Sequence, residues 1–308
     1  MKAFNNGDIV EQNSVRIHLN SVTSAMGTLI FEALRCYKKD GADGELYAFR
    51  SLDHYRRLQA SLRCLNMEPP VSYDEFKSAI SRVIVANGIS DNCYLKVIVY
   101  WDQILAGTSL FDLSEMSPKI AVLVKTTSEE FFSNCQSLRC CVSSWRRINE
   151  EALPVTAKAS ANYFNARLGL IDALRNGYHN AIFLDHVGRV SEAAEANVFL
   201  VRWSDHTVVT PSLDSSILPG ITRDTIMHLV RNSSQFRLEE RSVNRAELYS
   251  ADEIFLVNTA QLVRQISEID GRTSACSGAS DVLRIREGLL DILFQRTPQN
   301  EEWFCRVA

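Results

Sequence analysis

Apolar side chains recur at helical spacing over residues 51–65, where Leu52, Tyr55, Leu58 and Leu62 share one face. Ser72-Tyr73-Asp74-Glu75 has the form of a capping box and predicts a second helix running toward Gly88. Two strand-length apolar runs follow, 94-YLKVIVYW-101 and 120-IAVLVKT-126. The stretch 127-TSEEFFSNCQS-137 is polar and without a period, which marks a connector between halves. Beyond it, 138-LRCCVSSW-145 reads as a strand, and a helix is expected from about Ala159 to Asn176, stopped by Gly177. One hairpin joins 181-AIFL-184 to 189-RVSE-192 through a turn at 185–188, and a second joins 197–203 to 207–210 through Ser-Asp-His. A further helix opens near Thr222, and 253-EIFLVNTA-260 reads as a buried strand running into a tight loop. Strands and helices mix without strict βαβ alternation. The pattern therefore predicts two α+β domains, 1–126 and 138–308, joined by the connector 127–137.

Composition changes this picture little. The chain has 308 residues, enough for two domains, with 46% hydrophobic and 23% charged residues. A formal charge of -4 and the lack of any basic run give no reason to expect nucleic acid as a partner. The longest apolar runs are too short to cross a bilayer, and MKAFNNGDIVEQ lacks an apolar signal core, so a cytoplasmic location is expected. Eight cysteines show no CxxC pair and no histidine at ligand spacing. Buried free thiols are expected, with neither a disulfide framework nor a metal.

The candidate chemistry lies in 156-TAKASANYFNARLG-169, where Lys158 stands alone among small side chains with Tyr163 five positions on. A desolvated amine sheds its proton more readily and becomes the nucleophile that an aldehyde-bearing cofactor needs for a Schiff base. The plain alternative is a lysine snorkelling from a helix start into water. Its companions bear on the choice. Glu192, in 190-VSEAAEANVFL-200, could keep a heterocyclic nitrogen protonated; Glu195 is the rival carboxylate, and an exposed strand-end charge is the plain reading. In 218-LPGITRDTI-226 a Pro-Gly turn opens a helix whose free N–H groups suit a phosphate, with the Thr222 hydroxyl beside them, although an ordinary N-cap looks the same. The loop 257-VNTAQL-262 could add donors, including Thr259, and Arg57 sits on a helix face. GxGxxG, GxxxxGK[ST] and GxSxG patterns are absent from the sequence, and His179, His186, His206 and His228 lie in dissimilar contexts.

Taken in order, 27-GTLIFEALRCY-37, 143-SSWRR-147 with 157-AKASANY-163, 190-VSEAAEANVF-199, 217-ILPGITRDTI-226 and 251-ADEIFLVNTA-260 resemble the class IV aminotransferases, the fold-type IV pyridoxal-phosphate enzymes. Within that family the chain is most similar to the branched-chain amino-acid aminotransferases, and 4-FNNGDIV-10 resembles the family's first strand. The resemblance implies a small N-terminal α/β domain, a larger domain with a pseudo-barrel β core, and pyridoxal 5′-phosphate as cofactor. It implies that Lys158 carries the cofactor and shuttles the substrate α-proton, Tyr163 bonds the phenolic oxygen, and Glu192 holds the pyridinium proton with Asn197 behind it. Arg57, Gly220, Ile221, Thr222, Asn258 and Thr259 would grip the phosphate side. Tyr94 and the Thr259-Ala260 amides would meet the substrate carboxylate, Phe31 the side chain, and Lys96 a distal carboxylate. The partners would be an amino acid and a 2-oxo acid. The active site would lie between the domains of a homodimer or larger homo-oligomer, with the segment around Met26 reaching a neighbour.

The departures fall at pocket positions. A family Y-x-R triplet is here 94-YLK-96, which keeps the charge but loses the bidentate fork and weakens the case for glutamate handling. Met26 replaces a usual tyrosine, the connector has no tryptophan, F-E-G-[IV]-R has become 31-FEALR-35, and A-G-G-N-Y has become 159-ASANY-163. Transamination is therefore expected with a preferred side chain that is not plain valine, leucine or isoleucine. The same blocks leave open D-amino-acid or (R)-amine transamination, aminodeoxychorismate lyase activity, and a scaffold that binds without turnover.

Overall fold

The computed structural model describes residues 1–41, 45–104, 116–274, 280–297 and 301–308. The chain divides into two compact units. The first is Met1–Phe132 with two later pieces, Ala157–Ala161 and Ile292–Ala308; the second is Ser133–Thr156 with Asn162–Asp291. The cut falls inside the segment 127–137, but the two returned pieces lie far along the chain from the rest of their unit. Hydrogen bonding explains both returns. Ala159 bridges to Ile30, and the C-terminal strand Phe304–Arg306 pairs with 46–49.

The first unit is built on an antiparallel sheet. Its strands are β1 (Lys2–Asn5), β2 (Asp8–Glu11), β3 (Ile30–Lys38), β4 (Leu46–Phe49), β5 (Cys93–Trp101) and β6 (Pro118–Thr126), with Phe304–Arg306 at one edge. The order is Phe304–Arg306, β4, β3, β5, β6, β1, β2. The opening segment is thus a hairpin rather than one strand, because Asn6 (φ 49°) and Gly7 (φ 102°) turn the chain in the left-handed region. Helices α1 (Val22–Met26), α2 (Ser51–Arg63) and α3 (Tyr73–Ala86) precede and follow these strands. The capping box at Ser72 is present: the Glu75 N–H donates to Ser72 Oγ, and the Ser72 N–H donates to Glu75 Oε2 at 2.7 Å. Leu58, Leu62, Phe76, Ile80 and Ile84 pack on Leu34, Leu95 and Val97 from one sheet face.

Alternation along β3 and β5 then sorts the remaining side chains. The register pairs Phe31 with Ile98, Ala33 with Lys96 and Arg35 with Tyr94, so these six share the face opposite the helices. The polar connector hides a short helix, α4 (Glu129–Ser133). Two adjacent phenylalanines give no period to read, yet both are used: Phe131 lies 4.1 Å beneath the Arg35 guanidinium, and Phe132 packs with Tyr37 and Phe294.

The second unit carries strands β7 (Leu138–Arg146), β8 (Asn180–Leu184), β9 (Val190–Ala193), β10 (Asn197–Arg202), β11 (Thr207–Pro211), β12 (Arg237–Arg241), β13 (Glu253–Asn258), β14 (Leu262–Ile269) and β15 (Arg272–Thr273). The path runs β12-β11-β10-β13-β14-β7-β8-β9, with β15 beside β14. β9 also lies beside β10 and β11, so the sheet curls on itself around Ile182, Val190, Val198, Leu200, Ile254 and Ile266. Helix α5 spans Ser160–Arg175 and ends before Gly177, whose φ of 79° suits the reversal. Helices α6 (Ile221–Arg231), α7 (Glu247–Ser250) and α8 (Asp281–Leu293) complete the unit.

The thiols are only partly as expected. Cys36, Cys93 and Cys140 are buried and free, Cys64 and Cys135 are free but exposed, and Cys276 lies outside the described residues. Among the described residues no helix is long and apolar enough to cross a membrane.

Candidate active site

Lys158 is held by its backbone. Its N–H donates to Ser61 Oγ at 2.9 Å, and its carbonyl accepts from the Phe31 N–H at 3.1 Å. Two residues on, the Ser160 N–H donates to the Leu29 carbonyl at 2.8 Å, so Lys158 and Ser160 are both stitched to α2 or to the start of β3. The half-buried side chain lies with Nζ 4.9 Å from the centroid of the Phe31 ring. Lys96 Nζ lies 5.1 Å from the same centroid. The structure thus brings together Lys158, Phe31 and Lys96. Tyr94, also expected here, is half-buried under the Arg35 guanidinium at 5.2 Å.

Arg57 is aimed by a buried carboxylate that the sequence reading did not single out. Its Nε and Nη2 donate to Glu32 Oε1 and Oε2 at 2.7 and 2.8 Å, and His54 Nδ1 is bonded to the same Oε2 at 2.7 Å. Burial pushes the Glu32 carboxyl upward, but Arg57 and then His54 outweigh it and hold it well below the usual range. Burial likewise pushes the His54 imidazole below its ordinary value, against the pull of Glu32. Ser61 Oγ also donates to the Arg57 carbonyl at 2.9 Å, which joins the supports of Arg57 and Lys158.

In the second unit, exposure separates the two rival carboxylates. Glu195 is exposed, whereas Glu192 is 4% exposed on β9. Arg147 Nη2 donates to Glu192 Oε1 at 2.6 Å, while Asn197 Nδ2 and the Leu218 N–H donate to Oε2 at 3.0 and 3.2 Å. Asn197 Nδ2 also donates to the Leu218 carbonyl at 3.1 Å. Arg147 closes the run 143-SSWRR-147, and its pairing across 45 positions leaves no local signal.

Helix α6 begins at Ile221, and its N-cap is Gly220. A Cβ at Gly220 would overlap Asn197 Oδ1 and stand 3.3 Å from both Asn197 Cγ and Arg223 Cβ. The glycine therefore lets the helix start pack on the side chain that supports Glu192. Thr222 and Thr259 meet hydroxyl to hydroxyl at 3.4 Å, beside the first turn of α6, the end of a helix that favours an anion. Asn258 is turned to its own loop, donating to the Glu195 carbonyl at 3.0 Å and accepting from the Gln261 N–H at 2.6 Å. Ala260 is exposed, Tyr163 is half-buried on α5, and Met26 is exposed on α1.

The first unit thus offers an amine fixed at its backbone. The second, taken by itself, offers a buried carboxylate bonded by Arg147, Asn197 and Leu218, and a helix start beside two threonine hydroxyls. Comparison with known proteins decides the lineage. Residues 29–269 match the model of the family described as amino-transferase class IV. This chain belongs to the class IV aminotransferases.

This aminotransferase is 33% identical over 270 residues to a probable branched-chain-amino-acid aminotransferase of Aquifex aeolicus, covering 88% of this chain and 85% of that one. It is 32% identical to the branched-chain-amino-acid aminotransferase of Escherichia coli, covering 98% and 96%. Its fold superposes on the PLP form of the branched-chain amino acid aminotransferase from Thermobaculum terrenum with a TM-score of 0.90. The identity in that pair is 31%, over 100% of this chain and 98% of that one. The side chains of this aminotransferase fit that cofactor. Gly220 is the telling detail, since any larger residue would push the helix start off the Asn197–Glu192 support.

Proposed function

We propose that this aminotransferase moves the amino group of an L-amino acid with a hydrophobic, branched-chain-like side chain to a 2-oxo acid, with pyridoxal 5′-phosphate as cofactor. When bound, the cofactor supplies an aldehyde carbon for an amine and a pyridinium ring that accepts the electron pair left when a Cα–H bond breaks. Lys158 would hold it through Nζ, and the same amine would take the proton from the substrate α-carbon. Glu192 keeps the ring nitrogen protonated, and Asn197 fixes the orientation of its carboxylate. Tyr163 donates its hydroxyl to the phenolic oxygen. Arg57 answers the phosphate by charge, and Ile221, Thr222 and Thr259 by N–H and hydroxyl donors, with Gly220 and Asn258 shaping those two loops. Tyr94 and the Thr259 and Ala260 amides orient the substrate carboxylate.

The observation that carries this reading is the anchoring of Lys158, which presents its amine over Phe31 from a backbone tied at both its N–H and its carbonyl. The substrate class draws on the named activities of the Aquifex and Escherichia relatives and on the apolar face of Phe31, Ala33 and Ile98. Lys96 stands at the edge of that face, which supports a preference displaced from plain valine, leucine and isoleucine. The assembly we propose is a homodimer, supported by exposed Leu19, Met26 and Ile104 in the first unit. A reducing, cytoplasmic setting is supported by the free thiols of the opposed pair Cys36 and Cys93.

A matrix of amino donors against 2-oxo acids, with both enantiomers of each donor, tests the reading. The expected result is turnover of L-donors with apolar side chains, no turnover by Lys158→Ala, and a borohydride-trapped adduct on the Lys158 peptide alone. Turnover confined to D-donors or amines, or pyruvate release from aminodeoxychorismate, would overturn it. A sharp optimum on the three branched-chain acids would overturn the displaced preference.

A further inference from the structure

We propose that Arg147 is a positioning residue that keeps Glu192 ionised and thereby sets the protonation of the cofactor ring nitrogen. The inference rests on the reading above that Glu192 addresses that nitrogen. Arg147 follows β7 directly, and its N–H donates to the Leu184 carbonyl at 2.9 Å, so its backbone is fixed by the end of β8. Its side chain is 7% exposed and that of Glu192 is 6% exposed, and they meet at 2.6 Å. Water therefore does little to stabilise either charge, and burial by itself favours the neutral acid.

The Asn197 amide and the Leu218 N–H, which also donate to Glu192, are neutral. Arg147 brings a positive charge to within 2.6 Å of Oε1, which favours the ionised acid. A protonated Glu192 would carry a hydrogen on one oxygen and would no longer be the acceptor that a pyridinium N–H requires. Arg147 Nε and Nη1 are buried with no hydrogen-bond partner among the described residues. An arginine retained only to tie strands together would have those donors satisfied. Among the described residues, the charged contact of the guanidinium is the bond to Glu192. The division of the carboxylate follows: Oε1 serves the arginine, and Oε2 is oriented by Asn197 and Leu218.

The test uses holoenzyme loaded with pyridoxal 5′-phosphate labelled with ¹⁵N in the ring, whose chemical shift reports protonation directly. Arg147→Gln is expected to move the shift toward the unprotonated value. It should also lower kcat by about 10- to 100-fold, the rate equivalent of one lost charged hydrogen bond, with the donor KM within about twofold. Arg147→Lys, which keeps the charge for a fold that tolerates no neutral residue, should retain the protonated shift with a smaller loss of kcat. Glu192→Gln serves as the reference for the underlying reading. If its shift equals that of the wild type, the assignment of Glu192 fails. If Glu192→Gln moves the shift and neither Arg147 variant changes shift or kcat, the role of Arg147 fails and that of Glu192 stands.

Discussion

Replacing Gly220 by alanine should disable the carboxylate without touching it. The backbone at Gly220 has φ -71°, which any residue adopts, so the expected damage is steric and comes from one methyl group. That methyl would overlap Asn197 Oδ1, and Asn197 is 6% exposed with no room to withdraw in place. Turning the amide away breaks its bonds to Glu192 Oε2 (3.0 Å) and to the Leu218 carbonyl (3.1 Å). A hydrogen bond to a charged group is worth about 1.5–3 kcal/mol and a neutral one about 0.5–1.5, so the loss should total about 2–4.5 kcal/mol. Urea unfolding of the apoprotein measures it, and titration with pyridoxal 5′-phosphate should show weaker binding. The decisive assay is the double-mutant cycle with Asn197→Ala, which removes the atom the methyl strikes. The double variant should be no less stable than Asn197→Ala alone, giving strong non-additivity. Additive losses, or a Gly220→Ala protein as stable as the wild type, would refute the argument.

Two further outcomes follow from buried contacts. Glu32→Gln should lose about 3–5 kcal/mol near neutral pH, since it leaves the buried Arg57 without its carboxylate. Because Arg57 and His54 hold the Glu32 carboxyl below its unfolded value of 4.5, its stabilisation is fully present above about pH 4.5 and is lost as pH falls below that. Thermal midpoints of wild type and variant should therefore converge in acid, and parallel curves from pH 7 to 3 would contradict the assignment. Gly169→Ala should cost about 1–3 kcal/mol by overpacking, as its Cβ would overlap the Phe183 ring and lie 2.7 Å from Ser143 Oγ. An unchanged melting midpoint would show that the α5 contact yields more easily than the geometry implies.

Periodicity made legible what is local. The helices over 51–63 and 73–86, the capping box and strands β5 and β6 all announce themselves within a dozen residues. β14 was passed over because its partly buried pattern breaks alternation, and α4 because two adjacent phenylalanines carry no period. The Asn6-Gly7 signal for a hairpin was in the sequence and was overridden by the resemblance of the whole segment to one strand. At the site, Lys158 stood out by its small neighbours. The choice between Glu192 and Glu195 did not, because it depends on which one faces Arg147 and Asn197 across the curled sheet. Glu32 escaped, and Gly220 is legible only as part of the phosphate-side turn, for the same reason: their partners Arg57 and Asn197 lie more than twenty positions away along the chain.

The stitching of 157–161 to β3 and α2 restricts how this protein can be recombined. A chimaera spliced at the junction of Phe132 and Ser133 would inherit Lys158 from one parent and the strand that registers it from the other. Mismatches at Leu29, Phe31 or Ser61 would then misplace the amine even with every other site residue preserved. The N-terminal sheet with α2 and the five-residue patch Ala157–Ala161, whose contact with Ser61 spans 97 positions, must be exchanged as one cassette.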